Sequence, residues 1–222
     1  MISFADKAIE YFLNLKAPVD LPENISTINP FQKAGVKTVV ELFFKKYFND
    51  SNSRMYLFGI NPGRFGGGLT GIAFTDPVAL RERCGIKNNL GNRRELSSNF
   101  IYQLIDEFGG EHKFFNQFYL TALYPLAILR NGRNYNYYDE AALYNTLKPH
   151  IVRAVKEQIK FGAREDIAIS LGKKNAKYLK EINAHYNLFI EIRVLDHPRY
   201  IMQYKLKHLD KYLEEYLSAM HS

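Results

Sequence analysis

The residue types with the most chemical potential gather in one segment. Leu57-Phe58-Gly59-Ile60 leads into Asn61-Pro62-Gly63-Arg64-Phe65, then Gly66-Gly67-Gly68, Leu69-Thr70-Gly71 and Ile72-Ala73-Phe74. Glycine permits positive φ and close approach of the backbone to a ligand. Asn61 supplies a polar amide, and the stiff Pro62 holds the turn that carries it. Phe74 offers a ring face for stacking. Together they make a place to hold a ligand between an amide and an aromatic ring. A phosphate-cradling turn is the plain alternative, but no Lys-Ser/Thr follows the glycines as a phosphate loop requires. Two further candidates lie downstream. His197 sits in Leu195-Asp196-His197-Pro198-Arg199; a lone histidine is more often structural, so its type alone decides nothing. The run from Arg130 through Arg133 to Tyr138 is either a solvated loop or a surface that stacks bases and binds phosphates.

These residues need elements to position them. Met55 to Ile60 is a continuous apolar run, as expected of a strand buried on both faces. Phe118 to Leu123, Asp166 to Leu171 and Leu188 to Leu195 read as further strands. Between them the apolar spacing predicts helices. Ser3 to Leu15 places Phe4, Ala8, Tyr11, Phe12 and Leu15 on one face. Ala34 to Phe48 follows an extended connector. A short helix runs from Asp76-Pro77 toward Cys84, with Asp76 as its cap. Ser97 or Ser98 caps a helix that Gly109-Gly110 stops. Asp139 to about Lys160 is long and interrupted near Pro149. Lys173 to Ala184 and Gln203 to Ser218 complete the set. Strands alternating with helices imply a three-layer α/β/α fold with a central, mainly parallel sheet of about four strands. Asn61, Tyr124-Pro125 and His197 each follow a strand end. In a parallel sheet those ends share one edge, so the three motifs converge on one cleft.

Composition sets the bounds. At 222 residues the chain is sized for a single domain, residues 1–222, with a short N-terminal helical extension. The apolar fraction of 46% suffices for a core, and the net charge of +7 suits a polyanionic partner. No apolar run approaches the roughly 20 residues of a membrane span. The first ten residues lack a signal-peptide core, so a cytoplasmic location is expected. Cys84 is the only cysteine, which excludes an internal disulfide and a cysteine-based zinc site. The histidines lack metal-ligand spacing. No metal or cofactor is expected.

The Asn-Pro-Gly segment resembles the first motif of the uracil-DNA glycosylase superfamily. It looks most like the single-strand-selective monofunctional branch. Phe114-Phe115 through Leu120-Thr121-Ala122-Leu123-Tyr124-Pro125-Leu126, then Gly132-Arg133-Asn134, follows that family's middle region in order and spacing. His197-Pro198 matches its late motif. The resemblance spans about residues 28–217. It implies hydrolysis of the bond between a deaminated base and deoxyribose, with DNA as partner, no lyase step and a monomeric enzyme. By the same resemblance Asn61 orients the hydrolytic water, and His197 donates to the departing base. Phe74 stacks on the flipped base, while Gly63 and Gly67 allow close backbone approach. Arg133 is expected on phosphates.

Two departures carry information. The family's middle motif places a base-reading Asn where this chain has Ala122. Uracil discrimination then falls to Thr121, Tyr124 or the backbone, or the substrate is another deaminated base, xanthine or hypoxanthine. The late motif lacks the family's Ser-Pro pair, leaving Arg199, Tyr200, Ile201 or Met202 to wedge a base step. A nucleic-acid-binding module without turnover is the other class of reading.

Overall fold

Alternation of apolar runs and amphipathic stretches carries directly into the computed structural model, which describes residues 2–221. The elements are α1 (Phe4–Leu13), β1 (Ile25–Ile28), α2 (Ala34–Tyr47), β2 (Arg54–Gly59), α3 (Gly67–Thr70) and α4 (Pro77–Glu82). There follow α5 (Leu96–Phe108), α6 (Glu111–Gln117), β3 (Phe118–Ala122), β4 (Ala127–Arg130), β5 (Arg133–Tyr135) and α7 (Ala141–Ile159). The chain ends with β6 (Ala163–Leu171), α8 (Lys173–Tyr186), β7 (Glu191–Leu195), α9 (Pro198–Tyr204) and α10 (Leu209–Met220). Ser3 and Asp6 close α1 with a reciprocal capping box.

The main sheet has the order β3-β2-β6-β7, parallel throughout and flanked by helices. β2 is buried along its whole length, which explains its unbroken apolar run. It comes first in sequence, and the chain then adds β3 on one side and β6 on the other. Strand order therefore reverses at β2. Connections leave such a point in opposite directions and open a crevice beyond the strand ends. Asn61 leaves β2 there. Gly59 pairs with Ala122, Phe58 with Ser170 and Leu171 with Leu195, so the four strand ends lie level.

Arg54 opens β2 and is fully buried. Its guanidinium lies 4.9 Å from the Phe4 ring centre and 4.8 Å from that of Phe48. It donates to Asp50 at 2.8 Å and to the Phe115 carbonyl at 2.7 Å. This satisfied charge ties α1, the end of α2 and α6 to the first strand.

Several expectations are corrected. The stretches read as an extended connector and as a loop contain a second sheet, β1-β4-β5, antiparallel throughout. Tyr137, read as a surface aromatic, is fully buried, and its hydroxyl donates to Asn175 Oδ1 at 2.7 Å. Glu95, not Ser97 or Ser98, stands at the cap position of α5, and Ser98 is buried within the helix. α7 runs unbroken through Pro149. Proline removes one helical bond there, but Pro149 and Asn145 are both exposed, so water can take the freed carbonyl. The closing helix is two: α9 begins directly at Pro198, with His197 as its cap, and α10 follows. No described helix is long and apolar enough to cross a membrane.

Candidate active site

A cleft of about 720 Å³ opens at the level strand ends. Asn61, Gly63, Gly67, Phe74, Ala122, His197, Arg199 and Tyr200 line it. Thr121, Tyr124 and Arg133 do not.

Asn61 does not bond its own turn, the usual use of such a residue. Its Nδ2 donates to the Tyr135 carbonyl at 3.1 Å, and its Oδ1 accepts from the Tyr137 N–H at 3.2 Å. An amide held by one donor and one acceptor has a single orientation. A carbonyl oxygen has two lone pairs, so Oδ1 keeps one for a further donor. The second sheet thus aims the amide that the first sheet delivers.

His197 is fixed in an equally definite way. Its Nδ1 accepts from the Arg199 N–H at 3.1 Å, which leaves the proton on Nε2. Burial, helped by the Arg199 charge, lowers its pKa to about 4. The ring is a neutral donor at ordinary pH. Its centre lies 5.9 Å from that of Phe74.

Phe74 reaches this place through an unusual backbone. Its φ is +55°, a region that costs a residue with a side chain about 1–2 kcal/mol. The ring lies over Gly59, where an added Cβ would stand 2.6 Å from Phe74 Cζ. Gly59 is therefore the floor that lets the ring lie down.

Adjacent strand residues face opposite ways. Ala122 faces the cleft, so Thr121 faces away, where its hydroxyl bonds the Oε1 of the buried Gln158. Tyr124 lines a different hollow, between α1 and α7, and its hydroxyl is buried without a hydrogen-bond partner. Neither side chain replaces the missing base-reading amide. Thr121→Val is expected to leave base preference unchanged and to cost about 1–3 kcal/mol of stability, because Gln158 keeps an unpaired oxygen. Denaturant unfolding beside excision rates on different bases measures both. A changed preference would return Thr121 to the site.

Helical periodicity divides the late motif. Ile201 and Met202 are buried and cannot wedge a base step, whereas Arg199 and Tyr200 are exposed. Arg133 is exposed on β5, opposite Arg130, which is itself paired with Glu140. Of the cleft residues that were not anticipated, one is ionisable and acidic. Glu95 lines the cleft, and its carboxylate presses on Gly63 and Gly66. A Cβ on Gly63 would stand 2.3 Å from Glu95 Oε1, so this glycine accommodates the chain's own side chain. Nothing in a polar loop marked Glu95 for such a place.

A sequence profile of the uracil DNA glycosylase superfamily matches residues 45–221. Wild-type SMUG2 from Pedobacter heparinus, known from its crystal structure, is similar to this chain with 42% identity. The likeness covers 99% of this chain and 97% of that one, with a TM-score of 0.95. No curated protein matches. Profile and architecture agree from β2 through α10, and the protein belongs to the uracil DNA glycosylase superfamily.

Proposed function

We propose that the protein hydrolyses the N-glycosidic bond of uracil and of other deaminated bases in DNA, as a monofunctional glycosylase of base excision repair. The observation that carries this reading is an oriented amide oxygen and a neutral imidazole donor lining one cleft. Bond cleavage gives the sugar oxocarbenium character and the base negative charge. Asn61 Oδ1 accepts a hydrogen bond from water and sets its attack line; an amide is too weak a base to take the proton. The Nε2–H of His197 meets the base oxygen as charge develops, like an oxyanion donor. Phe74 stacks on the base, which must leave the duplex to reach the cleft. Arg199 and Tyr200 contact DNA at the rim, and Arg133 meets phosphate outside it.

Ala122 favours broad base selection. It presents a methyl group where the family reads the uracil edge, and Thr121 and Tyr124 point elsewhere. Xanthine and hypoxanthine carry a carbonyl at the same edge, so the cleft should accept them. Excision rates on oligonucleotides with uracil, xanthine or hypoxanthine, single- and double-stranded, test this. Ala122→Asn is expected to raise uracil excision relative to the purines by about 5- to 160-fold, the range of 1–3 kcal/mol for one desolvated hydrogen bond. An unchanged ratio would mean that the backbone already reads the base. DNA binding with no excision of any base would leave a binding module.

A further inference from the structure

We infer that the Gly63–Gly67 loop forms a phosphodiester-binding site, and that Glu95 occupies it until a DNA strand arrives. The inference rests on DNA as the partner. Its starting point is a contradiction in charge. The cleft is lined by Arg64, Arg94 and Arg199, and Glu95 is the one acid among the described residues lining it. Arg94 pairs with Glu82 at 2.7 Å, outside the cleft lining, whereas no described cation lies within 4.0 Å of Glu95. A lone carboxylate in a channel for a polyanion opposes binding.

Its surroundings suggest what it stands in for. The carboxylate lies against the loop, so close that a Cβ on Gly66 would be 2.1 Å from Oε2. The charge of Arg199 and, after it, the backbone N–H groups of Phe65 and Gly66 favour its ionised form, the Gly66 N–H also donating to the Gly63 carbonyl at 3.3 Å. Successive main-chain N–H groups beside a guanidinium bind anions generally, and a phosphodiester offers the same paired oxygens. The anchor below is firm: the Glu95 N–H donates to Asp76 Oδ2 at 2.9 Å. The half-exposed side chain can leave by rotating about its own bonds, with α5 in place.

The carboxylate is also poorly compensated. Burial raises its pKa, Arg199 draws it back, and Asp76 raises it further. The charged groups around it are Arg199 on α9, Asp76 before α4, and Arg64 and Arg94 on the cleft wall. His197 is neutral above about 4. A bound phosphate would take the N–H groups from Glu95 and add a negative charge. Its proton affinity then rises on binding, so DNA affinity rises as pH falls through the mildly acidic range.

The test is the affinity of wild type and Glu95→Gln for an undamaged single-stranded oligonucleotide at low salt. The variant is expected to bind about fivefold tighter or more, the ratio given by roughly 1 kcal/mol of contact repulsion in water. Wild-type affinity should rise on acidification, and that of the variant should stay flat. Glu95→Ala should behave as Glu95→Gln if charge alone matters. Equal or weaker binding by both variants overturns the inference. Uracil excision by wild type is scored separately. Tighter variant binding without excision keeps the phosphate site and sinks the glycosylase reading; excision without tighter binding does the reverse.

Discussion

Asn61→Ala is expected to lower single-turnover excision about 100-fold or more, the scale of one lost catalytic group. DNA affinity should change little, because both observed partners of the amide are main-chain groups of the protein itself. Rapid-quench rates beside an oligonucleotide binding curve measure the two quantities. Asn61→Asp sharpens the result. Its second oxygen would stand where Nδ2 now donates to the Tyr135 carbonyl, 3.1 Å away. Two acceptors would then face each other. The carboxylate is the stronger base, yet the variant should lose activity because its aim is lost. A folded Asn61→Ala protein that cleaves near the wild-type rate removes Asn61 from the mechanism.

His197→Ala is expected to cost about 2–4 kcal/mol of transition-state energy, as does removal of an oxyanion donor. The loss shrinks for bases that depart easily. The pH profile is the more specific readout. An ordinary histidine titrates near 6.5, but this ring is lowered to about 4 by burial and by Arg199. The wild-type rate should therefore show no His197 inflection near neutrality. It should fall only as the pH approaches about 4, where a second proton at Nδ1 displaces the Arg199 N–H. An inflection near neutrality that disappears in His197→Ala would show that the ring titrates during catalysis.

The long buried strands were legible because nothing competes with an apolar run such as Met55 to Phe58. Their parallel order followed from the helices between them. Convergence of Asn61 and His197 on one cleft followed from topology alone, whereas Tyr124-Pro125, expected there by the same argument, lines the hollow between α1 and α7 because the chain turns away after Ala122. The second sheet was not legible. Its strands are three or four residues long, and Ile25 pairs with Arg130, too far along the chain for any local pattern. Glu95 was hidden for another reason. Its significance comes from main chain more than 25 residues earlier, which no spacing reveals. Pro149 misled because helix breaking depends on where the freed carbonyl points, a matter of exposure rather than residue type.

The groups that aim Asn61 belong to the main chain of Tyr135 and Tyr137. Every residue at 135 supplies the same carbonyl, and every residue but proline at 137 supplies the same N–H. Point substitutions in the hairpin therefore leave the aim of the amide untouched, apart from their effect on packing. A single deletion between Asn131 and Tyr137 would shift the register and lose it. This part of the site should therefore accept changes of residue type and not changes of length, which substitution and deletion variants of the hairpin would show in excision rate.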